Sequence, residues 1–179
     1  MSSTNLDRVL LAFFSRPGEN CWRGGRRHLD VGNTDALAHL IRDRIACDVF
    51  RIEASEPYPQ DYDETVERNA RGQDADVRPA IAGTVHDPRG YAAVILASPI
   101  WNGRPPMIMS TFVGSADLTG TTILPVVTYA VSGLGRTAEV YQDLVAGATL
   151  GAPLALRGEE LADAAPVVED WLARTLPRR

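Results

Sequence analysis

The sequence predicts an α/β protein, a three-layer sandwich with a five-stranded parallel sheet between two sets of helices. Three observations carry that reading. The runs at 9–14, 91–98 and 123–129 are apolar almost throughout instead of alternating, as strands buried on both faces are. Between such runs, apolar residues recur at helical spacing, as at Leu37, Leu40, Ile41 and Ile45. The runs end in hydroxyl-bearing, small or turn-forming residues, and right-handed crossovers bring all those carboxyl ends to one rim.

The first strand, 9–14, holds two aromatics and is followed by Ser15. Residues 16–31 are rich in Gly and Arg and lack a helical period, so 17–31 reads as a loop insertion. Long loops in compact folds often act as lids, and Trp22 with Arg23, Arg26 and Arg27 suits that role; a solvated hairpin is the alternative. Gly32-Asn33-Thr34 then opens a helix, with Asp35 in its first turn where the helix dipole favours negative charge. Strand, hydroxyl-bearing loop and helix start together make an anion site, although Asn33 or Thr34 as a simple cap also fits.

The second strand, 47–52, alternates as expected near a sheet edge. From Glu53 to Asp76 there are eight acidic residues against Arg68 and Arg71, and a helix is expected at 61–72. Its charge reads as a solvated face or as a docking patch for a basic partner. The third strand, 91–99, stops at Ser98-Pro99. Ile100-Trp101-Asn102-Gly103 follows as a loop, and Pro105-Pro106 opens a helix over Met107 to Val113, since proline in a first turn sacrifices no hydrogen bond. The fourth strand, 123–129, leads into Ser132-Gly133-Leu134-Gly135 and a helix at 136–145. A fifth strand around 149–156 and a last helix at 159–174 complete the set.

A chain of 179 residues with 45% hydrophobic content reads as one globular domain, 1–179, ending in a short tail at 177–179. A net charge of −5 argues against a nucleic-acid partner. All eighteen basic residues are arginine, for which the sequence offers no functional reason. The run at 9–14 is too short to span a membrane and lacks a cleavage pattern, so neither a membrane nor export is expected and the location reads as cytoplasmic. Cys21 and Cys47 form no C-x-x-C, and His28, His39 and His86 lack ligand spacing, so no metal site is expected.

At the rim, Ser15 and the 32–34 helix start offer donors for a phosphate. Trp101 offers a large flat face beside a flexible Asn-Gly peptide, and the segment 128–135 offers small residues with free backbone groups. A phosphorylated planar heterocycle fits all three, and stacking on an indole adds roughly 0.5–1.5 kcal/mol to its burial.

The motifs Ala12-Phe13-Phe14-Ser15, Gly32-Asn33-Thr34, Ser98-Pro99-Ile100-Trp101-Asn102 with Pro105-Pro106-Met107, and Thr128 with Ser132-Gly133-Leu134-Gly135 occur at strand ends in a fixed order. In this the chain resembles flavodoxin-like proteins, in a branch with a split or extended phosphate loop. The resemblance implies an FMN cofactor and a sheet order of 2-1-3-4-5. Carried over by position, Ser15, Arg16 (through its amide), Gly32, Asn33 and Thr34 hold the phosphate. Pro99, Ile100, Trp101, Asn102 and Gly103 line the isoalloxazine, and Thr128, Tyr129, Ser132 and Gly133 close the far side. Shorter relatives have a continuous phosphate loop, whereas here 17–31 intervene. Aligning Ser15 to Asn20 with that loop instead would set Glu19 against the phosphate, with no helix behind it.

The resemblance implies a redox protein that passes electrons to a redox partner protein or a small-molecule acceptor. An NAD(P)H-dependent FMN oxidoreductase acting on a quinone or small metabolite is the alternative, with 16–31 shaping its pocket. The sequence contains no Ser/His/Asp or Cys/His arrangement that marks a side chain as catalytic, because in such sites the cofactor carries the chemistry. A non-redox binding module on the same fold is a third reading; a receiver domain fits poorly, since the first strand ends in Phe14-Ser15 and not in acidic residues.

Overall fold

The structure, a computed structural model, describes residues 8–176; the expected tail at 177–179 lies outside them. Its main sheet contains β1 (Val9–Phe14), β4 (Asp48–Ile52), β5 (Ala93–Pro99), β6 (Thr122–Tyr129), β7 (Thr149–Leu150) and β8 (Leu154–Arg157), while β2 (Gly18–Trp22) and β3 (Gly25–Leu29) form a separate hairpin. The helices are α1 (Asn33–Arg42), α2 (Tyr62–Asp74), α3 (Met107–Gly114), α4 (Thr137–Leu144) and α5 (Ala165–Thr175). The sheet runs β4-β1-β5-β6, with β7 and β8 following one another along the outer edge of β6, and every pairing in it is parallel. Counting the β7–β8 edge as one strand, this is the expected 2-1-3-4-5 order.

The unalternating apolar runs have the expected cause. On β1, Leu10, Ala12 and Phe14 face a layer containing Ile108, Phe112 and Tyr141, while Leu11 and Phe13 face Leu37, Ile41, Val168 and Trp171. A strand covered on both faces has no polar side to display. β4, at the free edge, exposes Asp48, Val49 and Arg51.

Two sequence expectations are corrected, and a choice between two is made. Of the lid loop and the solvated hairpin offered for residues 17–31, the structure has a hairpin: β2 and β3 pair antiparallel from Gly18↔Leu29 to Trp22↔Gly25. Arg23 and Gly24, the two turn residues, have φ of 47° and 78°, and positive φ at both central positions matches the twist of a two-residue hairpin. The expected strand at 149–156 is broken at Gly151-Ala152-Pro153. Gly151 lies so close to β6 that a Cβ there would sit 2.5 Å from Leu124 Cδ2, and Pro153 brings no N–H to the ladder. Trp171 Nε1–H donates to the Ala152 carbonyl at the break, at 2.9 Å. The expected helix at 159–174 is a 3₁₀ turn (Gly158–Asp163) followed by α5, because Pro166 supplies no N–H to continue a helix through it.

Candidate functional site

The carboxyl ends of β1, β5 and β6 open on one pocket. Its lining includes Ser15, Arg16, Asn33, Thr34, Pro99, Ile100, Trp101, Thr128 and Tyr129, nine of the residues singled out in the sequence. The chain separated by the hairpin is rejoined here with close tolerances. A Cβ on Gly32 would lie 2.3 Å from Ser15 Oγ and 2.7 Å from the Arg16 carbonyl, so only glycine lets the two halves meet.

Neither Asn33 nor Thr34 caps α1. The cap position is Gly32, which has no side chain to offer, and the cap is supplied from across the split: the Asp35 N–H donates to Ser15 Oγ at 3.0 Å. The Ala36 N–H goes to the Gly32 carbonyl at 3.1 Å. That leaves the Asn33 and Thr34 amides, at the first two helical positions, without an intrahelical acceptor. They head a helix whose dipole favours an anion at that end. Thr34 Oγ1 and Thr128 Oγ1 are 2.7 Å apart and both residues are buried, so the α1 start is tied to the end of β6. When Thr128 is the donor, the Thr34 proton is free to point onward.

Asp35 is not simply a dipole partner exposed to solvent. Only 7% exposed, it pairs with Arg51 on β4 and lies 3.5 Å from His39. Arg16 is equally buried. Its guanidinium donates to the carbonyls of Pro59, at 3.0 Å, Gln60, at 3.1 Å, and Glu19, and its desolvation lowers its pKa from the usual arginine value.

Trp101 sits at the mouth, edge-on to Phe14 and Tyr58 with ring centroids 5.6 and 5.0 Å away. Burial pushes the Tyr58 phenol up to about 12. Asn102 and Gly103, with φ of 51° and 76°, make a tight turn closed by Trp101 N–H to Arg104 O at 2.9 Å and Arg104 N–H to Trp101 O at 3.2 Å. That turn is held against the next loop. The Arg136 N–H donates to the Gly103 carbonyl at 2.8 Å, and a Cβ on Gly135 would lie 2.3 Å from the same oxygen. Asn102, Gly103, Ser132 and Gly133 therefore flank the pocket without lining it, and Gly32 stands behind Ser15.

Six lining residues were not singled out in the sequence: Asn20, Cys21, Tyr62, Ala130, Gly158 and Glu159. They come from the hairpin, the start of α2, the end of β6 and the 3₁₀ turn, elements whose meeting no local pattern announces. The hairpin is fixed at both ends of its reach. Glu19 N–H donates to Gln60 O at 2.9 Å, the Glu19 carboxylate accepts the Tyr62 N–H at 3.2 Å, and Arg26 lies 3.8 Å over the Tyr62 ring. At the turn, the Arg23 N–H donates to Glu159 Oε2 at 2.5 Å, with Arg157 3.5 Å from the other oxygen. The Glu19 carboxylate is thus held at Tyr62, and Glu159 lines the pocket with its carboxylate already engaged. The pocket encloses about 70 Å³, room for a few waters or one phosphate group.

A doubly wound parallel sheet of this order, with a pocket at the carboxyl ends of its first, third and fourth strands, is the flavodoxin-type fold. The family's model, described as flavodoxin, matches residues 29–172, and the chain belongs to that family. The match begins at the end of the hairpin, so β1, β2 and all of β3 but Leu29 lie outside it. Among solved structures, a candidate flavoprotein of Bacteroides uniformis has 22% identity and a TM-score of 0.75, over 93% of this chain and 98% of that one. Another from Bacteroides eggerthii has 21% identity and a TM-score of 0.75, over 96% and 99%. A Lactobacillus acidophilus flavoprotein in complex with FMN has 16% identity and a TM-score of 0.62, over 89% and 99%. At such identities the likeness is one of fold. No curated protein matches the sequence. No helix among the described residues is long and apolar enough to cross a membrane.

Proposed function

We propose that the protein binds FMN and serves as a redox protein, delivering electrons to a protein partner or a small-molecule acceptor. The observation that carries this is the closure of Gly32 against Ser15, which sets the start of α1, with two leading amides that have no intrahelical acceptor, beside a small pocket lined by Asn33 and Thr34. Family membership and the FMN complex of a structural relative support the same reading. FMN, when bound, supplies the electron-transfer chemistry. The chain's residues bind and orient it. The α1 amides and the Thr34 hydroxyl hold the phosphate, Trp101 and the Trp101–Arg104 turn flank the ring, and Thr128 fixes Thr34.

Titration of the purified protein with FMN and with riboflavin tests this. FMN binds more tightly than riboflavin by a factor of ten or more on this reading, since a phosphate makes several charge-assisted hydrogen bonds of roughly 1.5–3 kcal/mol each. Equal affinity for the two flavins, or none for either, refutes it.

The oxidoreductase version has one observation in its favour: the hairpin contributes Asn20 and Cys21 to the pocket wall, placing an element found outside the family match beside the reacting rim. Rapid NADH or NADPH turnover that is lost on shortening residues 19–28 selects that version. Turnover by NAD(P)H that is slow, with fast exchange to a protein partner, selects the carrier.

A further inference from the structure

One face of α2 carries two unusual residues. Asn69 is 3% exposed, yet neither its Oδ1 nor its Nδ2 has a hydrogen-bond partner among the described residues. Thr65, one turn earlier and equally buried, bonds to the carbonyls of Pro59, at 3.0 Å, and Asp61, at 2.7 Å. A buried amide with both a donor and an acceptor unused is costly to the fold, and such groups are rare enough to need a reason. Gly72, three residues on, stands inside the helix, where glycine is less stable than alanine. Packing does not require glycine there: a Cβ would meet nothing closer than Met107 Cγ and Val77 Cβ, both at 3.9 Å.

Asn69 and Gly72 both line a cleft of about 610 Å³ bounded by α2, residues 55–58, residues 77–80 and Met107. Sites that hold small molecules typically enclose about 300–1,000 Å³, mostly apolar with a few placed polar groups. This cleft has that make-up, with Tyr58, Val77, Pro79, Ala80 and Met107 beside one unengaged amide. Its walls are tied together. The Ser55 N–H donates to Ala80 O at 2.9 Å and the Ala82 N–H to Glu53 O at 2.8 Å. Arg68 donates to the carbonyls of Pro57, at 2.7 Å, and Glu56, at 3.0 Å, and lies 4.4 Å over the Tyr58 ring. The cleft shares no lining residue with the pocket at the head of α1. Tyr58 lines the one and Trp101 the other, with ring centroids 5.0 Å apart.

We infer that this cleft is a second binding site, which takes a flat, uncharged ring whose edge sets a hydrogen-bond donor beside an acceptor, as carboxamides and nucleobases do, and pairs that edge with the Asn69 amide. An asparagine side chain makes two parallel bonds to such an edge, as it does with adenine. Because neither of its atoms is committed, Asn69 can present oxygen and nitrogen in either order. The charges of the cleft already have partners: Arg68 has its two carbonyls, and Arg71 lies 3.6 Å from Glu67. A neutral ligand therefore fits better than a charged one. The inference stands apart from the FMN reading and does not depend on it.

Amide NMR of the whole protein titrated with benzamide and with adenine tests this. Saturable shifts are expected at residues 68–75 and 77–80, and the tighter of the two probes tells a carboxamide ligand from a nucleobase. Acetophenone has the shape and carbonyl of benzamide but no N–H, so it leaves the Asn69 oxygen unpaired and is expected to bind about tenfold more weakly or worse. Asn69→Leu is expected to lose the preference for benzamide over acetophenone. Its urea midpoint should stay at or above that of the wild type, since leucine removes two unpaired polar atoms. Gly72→Met, which favours the helix and fills the cleft, is expected to abolish binding of all three probes. No binding by the wild type at millimolar probe, or shifts confined to the pocket at the head of α1, overturns the inference whether or not any variant folds. Acetophenone bound as tightly as benzamide overturns it too, and so does an Asn69→Leu protein that still prefers benzamide.

Discussion

Gly32 shows how one missing methyl group sets the site. A Cβ there would lie 2.3 Å from Ser15 Oγ and 2.7 Å from the Arg16 carbonyl oxygen, and backbone atoms cannot move aside as a flexible side chain does. Gly32→Ala is expected to part the two halves of the loop, remove the Ser15 cap from Asp35 N–H, and lower both stability and FMN affinity. Loss of a helix cap alone costs about 1 kcal/mol, so a urea midpoint equal to the wild type contradicts close packing of Gly32 on Ser15 and Arg16. Trp101 makes the second residue-scale prediction. Its ring stands edge-on to Phe14 and Tyr58 and lines the pocket in which the proposed FMN would sit. The emission of bound flavin is therefore expected to be quenched in the wild type and restored in Trp101→Ala; unchanged quenching transfers the contact to Tyr129 or Trp22.

Among the elements, the ones that carry a period in sequence were legible and those defined by tertiary contact were not. β1, β5 and β6 announced themselves because burial on both faces forbids polar residues, and α1 because Leu37 and Ile41 must reach the sheet. The β2–β3 hairpin was one of two readings of its segment and could not be chosen over a lid loop, because β2 is only half-buried and β3 is largely exposed; Gly-Glu-Asn-Cys-Trp and Gly-Arg-Arg-His-Leu have no alternation to read. Only Arg23-Gly24, a two-residue turn with a glycine, was there to be noticed. The six unanticipated lining residues were hidden for the same reason, since Asn20, Tyr62 and Glu159 meet through contacts between elements far apart in the chain. The broken β7–β8 edge yields a prediction of its own. Trp171 satisfies the Ala152 carbonyl and is itself buried in the α1–α5 layer, so Trp171→Phe is expected to lose about 2 kcal/mol through a deleted hydrogen bond and a partly filled space. Urea denaturation checks it, and a change below a few tenths of a kcal/mol would assign the break to Gly151 and Pro153 alone.

For the whole molecule, pH reports how the layers are held. Burial pushes Tyr58 up to about 12, burial followed by hydrogen bonding to Asp48 does the same for Tyr91, and burial raises Tyr141 as well. A phenol that ionises near 10 when unfolded and later when folded leaves stability intact below about pH 10 and removes it progressively above that. Asp48 has the opposite sign. Its hydrogen bonds from Tyr91 and Arg8 hold it below the usual carboxylate value, so its contribution is present above that value and is lost as pH falls through the depressed one. Unfolding followed from pH 8 to 12 should show a steady decline beginning near 10, with tyrosinate absorbance lagging behind the five phenols' full amplitude until the fold is lost. Ionisation of all five near pH 10 in a protein that remains folded contradicts the burial of Tyr58 and Tyr141 and the bonding of Tyr91 to Asp48.

The proposed FMN site depends on a chain split by a hairpin closing again at Gly32 against Ser15, at the head of α1. Thr34→Val probes that closure with little other disturbance, because valine keeps the shape of a buried side chain, removes the hydroxyl at the second helical position and leaves the ring contacts untouched. Its effect on the Thr128 partner falls equally on both flavins, so the comparison between them isolates the phosphate. Titrating FMN and riboflavin into wild type and variant should show FMN bound about ten- to a hundredfold more weakly by the variant, from one charge-assisted bond of roughly 1.5–3 kcal/mol, and riboflavin almost unchanged. An equal loss for both flavins, or none for FMN, would place the phosphate elsewhere and contradict a loop rejoined at Thr34.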